Sequence, residues 1–169
     1  MAATIELYLV RHAIAAERGP KYPDDSLRPL TPAGSKKFAE SVPGLAEMDV
    51  VIDFVLTSPL VRARETAQIL ASGLKPKPAI AEVEALSPGG RHQAIVEAIK
   101  AHAKRHRRLA LVGHEPDLGE LAAKLLGARG LIEFKKGGIC LIEVDGATPG
   151  GPGTLRWMLT PRALRALAP

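Results

Sequence analysis

A single cysteine, Cys140, in 169 residues excludes an internal disulfide and any metal site built from several thiolates. It lies within Gly138-Ile139-Cys140-Leu141-Ile142, an apolar setting that suits a buried structural thiol rather than a nucleophile. Aromatic residues make up only 4% of the chain, so the core must be built from Leu, Val, Ile and Ala. No apolar run approaches the roughly 20 residues that a membrane helix needs. The first residues lack a basic region followed by an apolar stretch and a small-residue cleavage site, so no signal peptide is expected and a cytoplasmic location is. No low-complexity tract, internal repeat or long linker divides the chain, and residues 1–169 are expected to form one domain.

What is present alternates. Ile5-Glu6-Leu7-Tyr8-Leu9-Val10 is short, apolar and rich in β-formers, as a strand buried on both faces of a parallel sheet must be. Residues 15–30 are polar and rich in Pro, Gly and Asp, a loop over the end of that strand. Thr31-Pro32 supplies an N-cap and a proline at the first helical position, for a helix to about Val42 that Pro43-Gly44 stops or kinks. The latter half of residues 50–57 predicts the second strand. Ser58-Pro59 repeats the cap-then-proline signal for a helix reaching Ser72-Gly73. Residues 79–86 hold a short strand, 93–106 a helix, and 108–112 a third clear strand. Asp117 with Glu120 resembles a capping box that opens a helix to Gly127. Strands at 138–144 and 154–159 and a final helical turn after Thr160-Pro161 complete the chain. The pattern predicts a three-layer α/β/α sandwich around a mostly parallel sheet, with an antiparallel addition at one edge.

Two strands end alike. Leu9-Val10 runs into Arg11-His12, and Leu111-Val112-Gly113 runs into His114, so two imidazoles stand at the carboxyl edge, where open α/β sheets bind ligands. Arg62 falls in the first turn of the helix starting at the same edge. A cation there opposes the helix dipole, which makes more sense if an anion lies between it and the backbone N–H groups. Arg11, His12, Arg62 and His114 therefore form a candidate anion pocket. Guanidinium forks match phosphate oxygens, and an imidazole with one free nitrogen is a nucleophile toward phosphorus. The same two arginines would repel a cation, so no metal or other cofactor is expected.

Four stretches in order carry a resemblance: Leu9-Val10-Arg11-His12-Ala13, Arg28-Pro29-Leu30-Thr31-Pro32-Ala33-Gly34, Thr57-Ser58-Pro59-Leu60-Val61-Arg62-Ala63-Arg64-Glu65-Thr66 and Val112-Gly113-His114-Glu115-Pro116. They are similar to the histidine phosphatase (phosphoglycerate mutase-like) superfamily, and the short length and the Arg-Pro-Leu-Thr segment most resemble its small SixA-type phosphohistidine phosphatases. The resemblance implies a phosphoglycerate mutase-like fold, with His12 as the nucleophile that becomes phosphorylated. It further implies Arg11 and Arg62 as holders of the phosphoryl oxygens, and His114 as a second, cationic imidazole. Ala13 departs from the family's usual glycine, and Ala15 and Arg18 stand where some ester-cleaving relatives carry Ser and Asn. Arg18 reads as a solvated loop residue or as a substrate contact.

The acid needed to protonate an alkoxide leaving group has Glu17, Glu82 and Glu84 as candidates, or is absent. Phosphohistidine leaves as an imidazole and needs less help, so a missing acid fits that substrate. The expected partner is a protein carrying phosphohistidine, with a small phosphorylated molecule as the alternative. The rival from another class is a module that binds phosphate or nucleic acid through the net charge of +5. The densest basic run, from Lys100 to Arg108, reads as a solvated helix end, because no aromatic residues are interleaved for stacking. Lys135-Lys136 reads as a solvated turn or as a contact for a bulky substrate. Neither a membrane nor a nucleic acid is expected as a partner.

Overall fold

Thr4–Arg11 (β1) buries Ile5, Leu7 and Leu9 on one face and Tyr8 and Val10 on the other, and so takes an interior place in a six-stranded sheet. The computed structural model describes residues 3–169. Met1 and Ala2, which head the 1–169 span and the amino-terminal stretch discussed above, lie outside the described residues. The chain continues through α1 (Pro32–Glu47), β2 (Phe54–Thr57), α2 (Val61–Ser72), β3 (Ala79–Glu82), α3 (His92–Ala103), β4 (Arg108–Gly113) and α4 (Asp117–Leu126). It ends with β5 (Ile139–Asp145), β6 (Thr154–Leu159) and α5 (Pro161–Leu167). The strand order is β3-β2-β4-β1-β5-β6, parallel from β3 to β1, with β5 antiparallel to β1 and β6 antiparallel to β5. The antiparallel addition at one edge is thus the β5–β6 pair.

Helices α1, α2 and α5 pack on one face through Phe38, Val42, Ala67, Leu70 and Leu164. Helices α3 and α4 cover the other through Ile95, Ile99, Leu121 and Leu125. The result is the three-layer sandwich predicted from the alternation. The chain leaves β1 toward one helical layer and leaves β4, its neighbour, toward the other. A crevice opens where adjacent connections part in this way, at the carboxyl ends of the strands.

Five elements depart from the sequence reading. Helix α1 runs through Pro43-Gly44 to Glu47. Tertiary packing outweighs the missing N–H of Pro43, since Gly44 lies against the backbone of α5 and Leu45 is buried beside it. A Cβ on Gly44 would fall 2.1 Å from the Leu164 carbonyl oxygen. Gly44→Ala, which ordinarily helps a helix, is therefore expected to destabilise by about 2 to 3 kcal/mol, because backbone must move to make room. A urea melt checks it; an unchanged or raised midpoint would mean that α5 yields without cost. Helix α3 stops at Ala103, three residues earlier than its apolar spacing suggests, and the strand begun at Ala79 gives way to a 3-10 turn at Glu84–Leu86. Asp117 does not cap α4 but accepts the Gly89 N–H at 2.7 Å, a tie from the first residue of α4 to the turn before α3. Finally, α2 starts at Val61 without a side-chain cap, and Ser58 is used elsewhere.

The basic run from Lys100 to Arg108 sits at the amino-terminal edge of the parallel strands, opposite the crevice. The Arg108 guanidinium makes two hydrogen bonds to Asp53, at 2.6 and 3.0 Å, and Lys100 pairs with Glu97. The rings of His102 and His106 lie 5.3 and 4.8 Å from that of Phe54. Cys140 is buried, and burial pushes its thiol up to about 12, which fits the structural role read from its neighbours. Among the described residues, no helix is long and apolar enough to cross a membrane.

Candidate active site

Register alone brings the two histidine motifs together. Val10 pairs with Val112 and Arg11 with Gly113, so His12 and His114 leave adjacent strands at the same level. The His12 N–H donates to the Gly113 carbonyl at 3.0 Å, extending the ladder by one bond, and the Ser58 N–H donates to Val112. The ends of β1, β2 and β4 thus present His12, Ser58 and His114 in one place, with the imidazole centroids 5.2 Å apart.

His12 Nδ1–H donates to the Ala13 carbonyl at 2.7 Å, which leaves Nε2 with its lone pair. His12 is 8% exposed; burial, chiefly, lowers it to about 4, with the charges of Arg62 and Arg11 adding to the effect and the Ala13 bond opposing it. His114 is 3% exposed and is held down to about 3 by burial, then by His12 and Arg62. Desolvation thus works against the cationic form that the resemblance implies for His114. Its Nε2 shares a 2.8 Å hydrogen bond with Ser58 Oγ, which also accepts the Leu60 N–H.

Arg11 reaches the site from the last position of β1, and its Nη1 donates to the Phe134 carbonyl at 2.6 Å. Arg62 is 2% exposed and is clamped from the loop over β1: Nη1 donates to the Asp25 carbonyl at 2.8 Å and Nη2 to its carboxylate at 3.0 Å. Asp25 also receives Arg28 Nε at 2.8 Å and lies 3.3 Å from Arg18 Nε. Burial works to raise its carboxyl, but the Arg28 hydrogen bond and the Arg62 charge outweigh it and hold the group below the usual range. Thr66 Oγ1 accepts the Ala13 N–H at 3.0 Å and donates to the Arg62 carbonyl at 2.7 Å, tying the first motif to α2. Glu65 accepts the Leu30 N–H at 2.7 Å, which fixes the Arg-Pro-Leu-Thr segment beside both.

Arg11, His12, Arg62 and His114 line one cavity of about 350 Å³, together with Arg28 and Lys136. Arg11 Nε, Arg62 Nε and His114 Nδ1 are all buried without a hydrogen-bond partner among the described residues. Buried donors are nearly always paired, and these three belong to residues that line the cavity holding His12. Among the described residues no cluster of three or more His, Cys, Asp or Glu has the makings of a metal site.

Of the carboxylates considered as acids, Glu17 lines this cavity, whereas Glu82 pairs with Arg64 and Glu84 with Ser87. The sequence reading overlooked Glu115, which also lines it, has Oε1 buried and unpartnered, and is raised chiefly by burial against the pull of Arg11. It also missed Ser58, taken for a cap, and Asp25. The place of Ser58 in the Thr57-Ser58-Pro59 motif was a usable signal; for Asp25, isolated in a polar loop, there was none.

The chain is a phosphatase of the histidine phosphatase superfamily, branch 1, whose family model matches residues 7–125. It is 29% identical over 163 residues to phosphohistidine phosphatase SixA of Escherichia coli K12, covering 95% of this chain and 97% of that protein. Its fold is similar to that of the protein histidine phosphatase SixA complexed with tungstate, at 25% identity and a TM-score of 0.84 over 95% of this chain and 99% of the other. An uncharacterized protein of Picosynechococcus sp. is 40% identical over 139 residues, 80% of this chain and 82% of its own length.

Proposed function

We propose that the protein hydrolyses phosphohistidine on a partner protein through a phosphorylated His12, without a metal. The observation that carries this reading is the trio of unpaired buried donors, Arg11 Nε, Arg62 Nε and His114 Nδ1, on residues that line the cavity holding the His12 imidazole. The His12 Nε2 lone pair attacks phosphorus, the substrate P–N bond breaks, and its electron pair stays on the leaving imidazole nitrogen, which takes a proton from solvent water. Water then attacks phospho-His12, the new P–N bond breaks, and inorganic phosphate and the free imidazole are regenerated. In both steps the arginines and His114 bind the equatorial oxygens, where negative charge is concentrated. Ser58 hydroxyl donation to Nε2 leaves the hydrogen of neutral His114 on Nδ1, so that His114 can donate to an oxyanion oxygen from that atom. Lining guanidiniums at Arg11, Arg28 and Arg62 disfavour a bound cation on electrostatic grounds.

One observation favours a second reading, hydrolysis of small phosphate esters. Glu115 offers a buried carboxyl that burial keeps protonated to higher pH than an exposed one, and an alkoxide leaving group needs such an acid. Leaving-group comparison separates the two. The wild type is expected to turn over phosphohistidine peptides far faster than sugar phosphates and nucleotides, with Glu115→Gln changing the peptide rate less than about threefold. Comparable rates on esters, with a loss of about 100-fold on esters alone in Glu115→Gln, would make the ester reading correct.

A further inference from the structure

A second cavity, of about 340 Å³, adjoins the first. Ala13, the residue after His12, lies in its wall, and Lys136 faces both cavities. Its cations come from three separate parts of the chain: Lys37 on α1, Lys135 and Lys136 before β5, and Arg162 and Arg165 on α5. No carboxylate lines it. None of the five cations takes part in an ion pair among the described residues, although Asp25, Asp53, Glu82, Glu97 and Glu143 all hold partners elsewhere. Between the cations the wall is apolar, with Phe38 buried beneath it and Ile14 38% exposed.

The wall is held against the first cavity. The Gly137 N–H donates to the carbonyls of both Arg11 and His12 at 3.1 Å, which fastens the Lys135-Lys136 turn to the nucleophile strand. Gly137 has φ +78°, and a Cβ there would lie 3.1 Å from Pro161 and 3.2 Å from Phe38. A side chain would therefore fill the floor between α1 and α5 that the glycine leaves open.

We propose that this cavity is a docking subsite for an acidic segment of the phosphorylated partner protein, with carboxylates on Lys37, Lys135, Lys136, Arg162 and Arg165 and an apolar side chain over Phe38. The proposal rests on the phosphohistidine reading above. Charge complementarity selects the occupant. Five unpaired cations packed round one hollow repel one another, and a run of Asp or Glu relieves that repulsion while a neutral or basic segment does not. A phosphohistidine held at His12 carries polypeptide on both sides, and the wall that Lys136 shares lies directly beside that site. This gives the Lys135-Lys136 pair a use beyond that of a solvated turn.

The test uses the full chain and three phosphohistidine peptides of equal length, with Glu-rich, Ser-rich or Lys-rich flanks, and free phosphohistidine as control. Wild type is expected to favour the Glu-rich peptide over the Ser-rich one by about tenfold in kcat/KM, the size that two or three exposed ion pairs supply. The preference should collapse at high ionic strength. Lys37→Glu/Arg162→Glu is expected to erase the preference through KM, leaving free phosphohistidine within about twofold. Lys37→Gln/Arg162→Gln should erase most of it, which guards against a folding defect in the charge-reversed variant.

Equal rates of wild type on Glu-rich and Ser-rich peptides would overturn the subsite, as would an equal loss on free phosphohistidine. Preference for a short bis-anionic compound over the Glu-rich peptide would assign the hollow to a small molecule instead and overturn the proposal. Salt-sensitive binding of a fluorescent, unphosphorylated Glu-rich peptide, lost in the variants, supports docking independently of turnover. If the peptide binds while no phosphohistidine is hydrolysed, the docking surface stands and the phosphohistidine reading falls.

Discussion

His12→Ala is expected to lower kcat/KM on phosphohistidine by at least about 10⁴-fold, with no phosphoryl-enzyme formed. A covalent route has no substitute for its nucleophile, whereas a pocket that only binds phosphate loses one wall. The surrounding groups leave His12 one role. Its Nδ1–H is committed to Ala13, its ring is neutral above about pH 4, and Arg11 and Arg62 stand in the same cavity to receive the oxygens. His114→Ala removes one donor from that cavity and should cost only about 100-fold. The two substitutions therefore separate a nucleophile from a stabiliser. Single-turnover labelling checks the point directly: wild type should carry an acid-labile, base-stable phosphoryl group on His12, and His12→Ala none. Retained turnover in His12→Ala, or a label elsewhere, would remove His12 from the chemistry. The acid limb of kcat/KM, which reports free-enzyme groups, should lie nearer pH 4 than the 6.5 of an unperturbed imidazole.

What could be read in the chain before its structure follows from the range of the interactions involved. β1 and β4 are apolar runs that end abruptly in His motifs, and a strand buried on both faces leaves no other pattern. Their adjacency, and the level at which His12 and His114 meet, depend on ladder register, which no local signal encodes. Arg11 was legible as a charge at a strand end, but its partner is the Phe134 carbonyl, 123 residues away. Asp25 organises Arg18, Arg28 and Arg62 from a loop whose composition predicts only that it is a loop. Local signals misled where a side chain had a better distant partner. Ser58 looked like a cap and bonds His114 instead, and Asp117 looked like half of a capping box and holds Gly89. Pro43-Gly44 looked like a stop, yet it is where α5 needs α1 to be thin. The four resemblance motifs covered these cases only in part, since they mark which residues matter without saying what touches them.

The buried histidines should also make the fold sensitive to mild acid, with stability falling by roughly 2 to 3 kcal/mol between pH 7 and 5.5. In the folded protein His12 and His114 stay neutral until about pH 4 and about pH 3, whereas in the unfolded chain both take up a proton near pH 6.5. Between those values the unfolded state binds more protons, so stability is full above 6.5 and falls as the pH is lowered. Each histidine contributes up to about 1.4 kcal/mol per pH unit once the unfolded imidazole is protonated. His92, whose pKa burial also lowers, acts in the same direction. Glu115, raised by burial, opposes it, because its folded form gains a proton first. Asp25 and Asp53 are held below the usual carboxylate range and matter only further down, as the pH nears 4. Urea melts at half-unit intervals from pH 7.5 to 5.0 measure the slope, and His114→Gln should reduce it by close to half. A flat profile, or an undiminished slope in His114→Gln, would show that the imidazoles are not held neutral. Inorganic phosphate ties this cost to the proposed function: an oxyanion beside His114 favours the imidazolium, so saturating phosphate should raise stability more at pH 5.5 than at pH 7.5. The same desolvation that leaves His12 Nε2 free to attack is then what the fold gives up in acid.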